Sequence, residues 1–160
     1  PDFPVDGSHR YTHVALDEQL DLHGVRQFEL DIHYREGEGF EVFHLPVVDE
    51  ETTCLRFVDC LTLIWDWSEE NAGHVPIVVW IEPKDDLDSL IPDLLDFDDR
   101  YDELEDEILS VWPRERIFTP DDLRGEYSNL PEAISGEGGW PLLGELRGKL
   151  MLSLRQFFSQ

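Results

Sequence analysis

Apolar and polar residues along the chain form two kinds of pattern, one typical of strands and one typical of helices. Alternation with a period of two predicts a pair of strands joined by a glycine-rich turn over 35–39. A continuous apolar run near the middle of the chain predicts a strand that is covered on both faces. The predicted strands cover 26–32, 40–45, 76–82, 116–120 and 149–154.

Apolar residues at helical spacing occupy the segments between these strands. The longest predicted helix begins after a threonine cap at Thr52 or Thr53, ends before Gly73 and buries a face that starts with Leu55. Pro92 predicts a helix start in the acidic segment after the third strand, and a loop is expected to run through Gly125. The predicted helices cover 15–25, 55–71 and 102–111, with shorter helical pieces over 129–146.

The order of these elements predicts the fold class. Strands that alternate with helices are typical of α/β proteins with a mostly parallel sheet or barrel. The 160 residues suffice for one sizeable core, so a single domain over 1–160 is expected.

Charge narrows the range of partners. The formal net charge is −25, and Lys84 and Lys149 are the only lysines, so a nucleic-acid partner is excluded because phosphate backbones would be repelled. No run of about 18 apolar residues is present, so no membrane span is expected. Strong acidity fits a cation-binding protein, and it fits equally a solubilising or salt-adapted surface.

Cys54 and Cys60 are the two cysteines of the chain. If Cys54 precedes the helix, the pair can form a disulfide, which would indicate an oxidising compartment. Two buried free thiols fit the same spacing. Two cysteines without suitably spaced histidines are too few for a structural zinc site.

Ionisable residues stand at the carboxyl ends of three predicted strands. They are Glu29 with Asp31, then His44, then Glu82 with Lys84. In parallel α/β folds these ends meet at one edge of the sheet, where ligands bind. The five side chains are therefore expected to share one cavity.

The residue types predict an oxygen-ligand metal site. Glu29 and Asp31 lie on the same strand face and repel each other unless a proton or a cation sits between them. With Glu82 they would form an all-oxygen site that suits Ca²⁺ or Mg²⁺ better than zinc. A salt-bridged carboxylate pair is the structural alternative.

His44 is the candidate acid/base group. A hairpin turning near Gly37 and Glu38 would place Asp31 opposite His44, and an extended parallel return would place both at the top of adjacent strands, so they are neighbours in either case. An imidazole beside carboxylates titrates near neutral pH, as general acid/base chemistry requires. A purely structural histidine at a strand end is the alternative interpretation.

The ordered motifs E-L-D-x-H, F-H-L-P and I-E-P-K resemble those of the phosphatidylinositol-specific phospholipase C superfamily, and most closely its bacterial calcium-dependent phosphoinositide group. The resemblance extends from about Tyr11 to Leu152. It implies a distorted (β/α)₈ TIM-type barrel that is incomplete in this chain. It also implies a phosphodiesterase that cleaves phosphatidylinositol-type lipids at a membrane surface and is secreted or otherwise extracytoplasmic.

The resemblance assigns a role to each candidate residue. Glu29, Asp31 and Glu82 match calcium ligands, with Ca²⁺ preferred to Mg²⁺. His44 matches the catalytic histidine that stabilises the transition state and helps to protonate the leaving group. Lys84 matches a phosphate contact, and Cys54 with Cys60 matches a pair found in such secreted enzymes.

The chain also departs from the family pattern. The His-Asn pair of the first family strand is missing, since His9 and His13 lie outside such a motif, and the last barrel strands are missing too. In the family mechanism the absent histidine deprotonates the inositol 2-hydroxyl, which attacks phosphorus. A fragment of a longer enzyme is therefore expected.

Three other interpretations remain open. A glycerophosphodiester phosphodiesterase uses the same barrel with similar strand ends, but His9-Arg10 lacks the following glycine of its first motif and His44 is followed by Leu45 rather than Asp. A non-catalytic barrel that binds a cation or an inositol headgroup would explain the missing histidine. A purely structural acidic domain is the last alternative.

Overall fold

The computed structural model describes residues 12–84, 91–136 and 139–155. Within these ranges one mixed sheet is formed by β1 (Gln27–Arg35), β2 (Gly39–Val42), β3 (Ile77–Pro83), β4 (Leu94–Leu95) and β5 (Leu150–Leu154). The strand order is β2-β1-β3-β5, and β4 pairs with the end of β1. β1, β3 and β5 are parallel, whereas β2 and β4 run antiparallel to β1. The predicted parallel arrangement therefore holds for two pairings, β1 with β3 and β3 with β5, whereas β2 and β4 are antiparallel additions to β1.

Helices occupy the segments between the strands: α1 (Leu16–Asp21), α2 (Phe57–Glu70), α3 (Tyr101–Val111), α4 (Pro120–Arg124) and α5 (Leu130–Ser135). The three main predicted helices are present, although α1 is shorter than expected. The start of α2 differs from the prediction, because Arg56 is its N-cap residue and no side chain caps it. Leu55, predicted to be buried, is 47% exposed.

Two segments differ from their sequence-based expectations. The predicted strand over 116–120 is a 3₁₀ turn, Arg114–Arg116, followed by an isolated parallel bridge between Ile117 and Leu150. The predicted loop after it contains α4, which a reciprocal capping box between Thr119 and Asp122 stabilises. At Pro92 the chain turns into β4 rather than into a helix.

The β1–β2 hairpin turns over three residues, which shifts its register by one from the prediction. Arg35 pairs with Gly39 and Ile32 with Val42, so the turn is centred on Gly37, whose φ is +79°. Phe43, rather than His44, therefore lies opposite Asp31, and Phe43 N donates to Asp31 O at 3.2 Å.

One face of the sheet packs against α2 and α3 to form the core. Phe28, Leu30 and Ile32 point to this face, and Phe57, Leu61 and Ile64 of α2 are fully buried against it. Each such aliphatic or aromatic side chain contributes about 1.5–3 kcal/mol by leaving water.

The opposite sheet face carries polar and exposed side chains. The expectation that 76–82 is covered on both faces is wrong for the described residues, because Trp80 of β3 is 41% exposed. Glu29 pairs with Trp80, and Asp31 pairs with Glu82, so all four lie on this open face. The core therefore fixes the strands from one side and leaves their other side available for a site.

Candidate metal centre and active-site cleft

Strand β1 positions Glu29 and Asp31. Burial alternates along it, with Phe28, Leu30 and Ile32 buried, Glu29 exposed and Asp31 half-buried. Because the apolar residues are fixed in the core, the two carboxylates must project from the other face. The predicted orientation of this strand is confirmed.

Strand β3 brings the third carboxylate to the same place. The parallel register pairs Asp31 with Glu82, and Glu82 is only 3% exposed. One carboxylate oxygen from each of Glu29, Asp31 and Glu82 lies within 4.8 Å of the other two. Two oxygens that ligate one Ca²⁺ at about 2.3–2.6 Å lie at most about 5.2 Å apart, so the donor set fits a calcium ion.

Two cationic side chains form ion pairs with this acidic cluster. Lys84 Nζ lies 3.0 Å from Glu82 Oε1 and 3.6 Å from Asp31 Oδ2. Arg155 Nη1 lies 3.3 Å from Glu29 Oε1 and also 3.3 Å from Glu82 Oε2. Arg155, which directly follows β5, was not among the site residues predicted from the sequence. The rule that located the other residues, an ionisable group at the carboxyl end of a parallel strand, would have found it.

The proximity of the carboxylates perturbs their ionisation. The hydrogen bond to Glu82, together with burial and the nearby negative charges, raises the pKa of Glu29. Burial raises the pKa of Asp31, although Lys84 opposes the rise. Burial acts to raise the pKa of Glu82 too, but the hydrogen bonds from Lys84 and Glu29 outweigh it and the net shift is downward. A proton thus resides on Glu29 more readily than on Glu82, and a divalent cation would replace it.

His44 follows β2 and lies in a cleft of about 690 Å³. Glu29 and Asp31 also line this cleft. Glu82 and Lys84 lie on the side of β3, where Glu82 is close to both carboxylates and Lys84 pairs with Asp31. The charge of His44 acts on Asp31 and favours its ionised form. The hairpin register sets His44 one residue past the position opposite Asp31, yet the two still share the cleft.

The disulfide between Cys54 and Cys60 is present, with their Cα atoms 5.4 Å apart. Cys54 lies before α2 and Cys60 in its first turns, as the disulfide alternative required. The bridge anchors the chain that lines the cleft through Thr52 and Thr53 to the buried helix. The free-thiol alternative is therefore wrong.

The His9-Arg10 pair of the glycerophosphodiesterase alternative lies outside the described residues.

Comparison with known protein families identifies the family of this chain. The sequence model of the family described as calcium-dependent phosphoinositide phospholipase C matches residues 34–159. The chain belongs to this family. This match confirms the family resemblance that the motifs at the strand ends indicated. A search of curated proteins gives no match.

Solved structures of bacterial phospholipases C share the fold. A calcium-dependent phosphoinositol-specific phospholipase C from the Gram-negative bacterium Pseudomonas sp. matches with a TM-score of 0.64 and 21% identity, over 94% of this chain and 52% of that chain. A myoinositol complex of the Pseudomonas enzyme has the same TM-score and identity, over 94% of this chain and 53% of that one. The Ca²⁺-dependent phosphatidylinositol-specific enzyme of Streptomyces antibioticus matches with a TM-score of 0.61 and 23% identity, over 82% of this chain and 44% of that chain.

This phospholipase C family member spans about half the length of the structures it matches. Over that half it has their mixed α/β architecture of a sheet with packed helices. Among the described residues, no helix combines the length and the apolar character needed to cross a bilayer.

Proposed function

We propose that this chain belongs to a calcium-dependent phosphodiesterase that cleaves phosphatidylinositol-type phospholipids. One observation carries the proposal: three carboxylates from two adjacent parallel strands converge within 4.8 Å beside a cleft that contains an imidazole. Membership of the phospholipase C family supports the same conclusion.

Glu29, Asp31 and Glu82 are the proposed calcium ligands, and Mg²⁺ is the poorer fit because it prefers to keep several of its waters. When bound, calcium would lower the pKa of a substrate hydroxyl and offset charge that develops on the phosphoryl group. Lys84 Nζ, which contacts two of the three carboxylates, is the proposed contact to a phosphate oxygen.

His44 is the proposed general acid. Its side chain is 39% exposed in the cleft, so a bound phosphodiester can reach it. In its protonated form it would donate a proton to the oxygen of the departing diacylglycerol as the bond from that oxygen to phosphorus breaks. Deprotonation of the attacking hydroxyl is assigned to a residue that we do not identify among the described ones.

The setting of the reaction follows from the same family. We propose that residues 1–160 form one catalytic-type domain, which contributes to a distorted (β/α)₈ barrel and acts on lipid at a membrane surface. Because the chain matches only about half of each solved relative, the comparison supports a contribution to a larger barrel. The Cys54–Cys60 disulfide supports a secreted or extracytoplasmic location, because such bonds persist in oxidising compartments.

The test combines calcium binding with turnover in the whole protein. Calorimetry with Ca²⁺ is compared for the wild type, Asp31→Asn and Asp21→Asn. Asp21 is an exposed residue at the end of α1, so its variant controls for the loss of one negative charge. Hydrolysis of phosphatidylinositol vesicles is then followed with calcium and with a chelator.

We expect Asp31→Asn alone to lose calcium affinity and activity, the latter by at least about 100-fold. Calcium binding without turnover would favour the non-catalytic barrel. Cleavage of glycerophosphocholine in place of phosphatidylinositol would favour the glycerophosphodiesterase. The absence of calcium binding by both the wild type and Asp31→Asn would favour the structural alternative.

A further inference from the structure

The loop that follows β2 is held in a defined conformation by its own hydrogen bonds. Leu45 and Asp49 form a reciprocal backbone pair, with Leu45 N donating to Asp49 O at 3.0 Å and Asp49 N donating to Leu45 O at 2.9 Å. At the apex, Val47 N donates to Glu50 Oε1 at 2.6 Å. Val48 N also donates to Leu45 O at 3.3 Å, so four hydrogen bonds within six residues close this loop.

The loop also carries backbone strain. Val47 has a φ of +67°, a conformation that a β-branched residue rarely adopts. Such a conformation is strained and persists where the surrounding contacts require it. Val47 is largely exposed, so burial of its side chain does not offset this cost. The hydrogen bonds within the loop, rather than packing of Val47, hold this shape.

The closed loop brings the side chain of Asp49 against His44. Asp49 Oδ2 lies 3.0 Å from His44 Nδ1, and the two side chains are 21% and 39% exposed. A partly exposed ion pair of this kind contributes little to the free energy of folding. Stability therefore does not account for the contact.

Chemistry accounts for it better. An ionised carboxylate can only accept, so the hydrogen between the two residues must sit on His44 Nδ1. In the neutral imidazole this fixes the Nδ1–H tautomer and leaves Nε2 as the nitrogen that gains or loses a proton. Both His44 and Asp49 line the cleft that contains Asp31.

We propose that Asp49 is the positioning residue for His44, fixing the ring orientation and the tautomer so that Nε2 exchanges the proton with the substrate. This inference rests on the proposed function for the role of His44, and it adds a residue that neither the family match nor the strand-end motifs assign. The proton moves from Nε2 to the leaving oxygen, and the bond from that oxygen to phosphorus breaks. Asp49 itself stays ionised and transfers no proton.

The test uses the variant Asp49→Asn in the whole protein. It keeps the shape and the backbone pair with Leu45, but its amide can either accept from Nδ1 or donate to it, so the tautomer is no longer fixed. Glu50→Gln is the matched control, because it removes one charge from the same loop and keeps an oxygen for Val47 N. His44→Gln identifies the imidazole signals in nitrogen-15 spectra.

We expect the wild type and Glu50→Gln to show the Nδ1–H pattern at about pH 8.5, where the ordinary histidine side chain is neutral, and Asp49→Asn to lose it. We expect kcat on phosphatidylinositol to fall about 10²- to 10⁴-fold in Asp49→Asn, with KM within about threefold, by analogy with a triad aspartate. If Asp49 had only a structural role, its replacement by asparagine would not change the tautomer of His44.

Two results would overturn the inference: an unchanged tautomer in Asp49→Asn, or a changed tautomer with wild-type kcat. A wild-type protein that cleaves no phosphatidylinositol when calcium is bound would overturn the proposed function instead, and with it the catalytic part of the inference. In that case the nitrogen-15 spectra would still decide whether Asp49 sets the tautomer of His44.

Discussion

Glu107 of helix α3 reaches the backbone of strand β2, where its Oε1 accepts a hydrogen bond from Phe40 N at 3.0 Å. The glycine before Phe40 makes this contact possible, because Gly39 has a φ of +90° and any Cβ there would collide with the Glu107 carboxylate. One acidic side chain thus attaches α3 to the hairpin whose end carries His44. Burial raises the pKa of Glu107, although the hydrogen bond from Phe40 opposes the rise.

Glu107→Gln should change stability in a pH-dependent way. A carboxyl group with a raised pKa favours the fold while it is protonated, and this contribution is lost as pH rises from its ordinary value of 4.5 through the raised value. Glutamine cannot ionise and keeps an oxygen for Phe40 N. We expect similar free energies of unfolding at about pH 4, and a more stable variant at about pH 7, in urea titrations.

Glu107→Ala is the matched comparison for this prediction. It leaves the buried Phe40 N without its partner, so we expect a loss of about 1–3 kcal/mol at both pH values. The interpretation fails if the stability difference between Glu107→Gln and the wild type is the same at both.

His74 should contribute to acid sensitivity. Its Nδ1 lies 2.6 Å from Val75 O and its Nε2 lies 2.8 Å from Ser68 Oγ, so Nδ1–H donates and Nε2 accepts from the hydroxyl. Burial lowers the pKa of His74, and the charges of Arg116 and Arg26 act in the same direction. Protonation would remove the acceptor for Ser68.

Because this folded-state pKa is depressed, the contribution of neutral His74 is complete above the ordinary value of 6.5 and is lost as pH falls through the lowered value. The wild type should be more stable than His74→Gln at neutral pH. We expect this difference in the free energy of unfolding to shrink as pH falls below about 6.5. Chemical denaturation at several pH values measures this difference. A pH-independent difference would contradict the assignment.

Asp31→Asn should have opposite effects on stability with and without calcium. Burial raises the pKa of Asp31, so its charge disfavours the ion-free fold at neutral pH and its removal should leave the protein at least as stable. With free calcium at about 100 times Kd, the wild type should gain about 2.7 kcal/mol, and the variant much less.

Thermal and urea unfolding with calcium and with a chelator measure both effects. Asp21→Asn should respond to calcium as the wild type does. An equal calcium-dependent gain in Asp31→Asn would exclude this carboxylate from the ligand set.

Reduction of the disulfide between Cys54 and Cys60 should destabilise the protein. The bridge closes a short loop, because the two residues are six positions apart in the sequence, so the loss should be about 2 kcal/mol. Unfolding with and without a reductant measures it. The double variant Cys54→Ser/Cys60→Ser should unfold alike in both conditions, and a reductant effect on that variant would point to another cause.

Much of the fold was predictable because local pattern and tertiary packing agree. The alternation of apolar and polar residues over β1 predicts a strand with one buried face. The spacing of apolar residues in α2 predicts a helix that packs on that face. The parallel pairing of β1 with β3 follows from the helix between them. For this reason Glu29, Asp31 and Glu82 could be placed together from sequence alone.

The register of the hairpin could not be predicted to the residue. A turn centred on Gly37 and one centred between Gly37 and Glu38 have almost the same sequence signal, but they differ in whether Phe43 or His44 opposes Asp31. Packing decides between them: Phe43 stacks on the buried ring of His33, with centroids 3.9 Å apart. Such a contact depends on tertiary structure.

The region after α3 was less predictable for a different reason. The apolar residues of 116–120 suggest a strand, but only Ile117 forms a bridge, and the following turns are fixed by side-chain bonds. Arg114 donates to Asp122 and to Thr119, which starts α4. Hydrogen bonds between side chains eight or fewer residues apart leave little trace in hydrophobic periodicity.

The pairing of Lys84 and Arg155 with the acidic cluster has a consequence for the order of events in this protein. Three carboxylates meet two permanent positive charges, so the strand ends can assemble before any divalent ion arrives. An incoming ion must then take oxygens from an ammonium and a guanidinium group that already hold them. An ion that binds there would therefore replace existing partners rather than fill a void, and the displaced ammonium and guanidinium groups would become available to another anion.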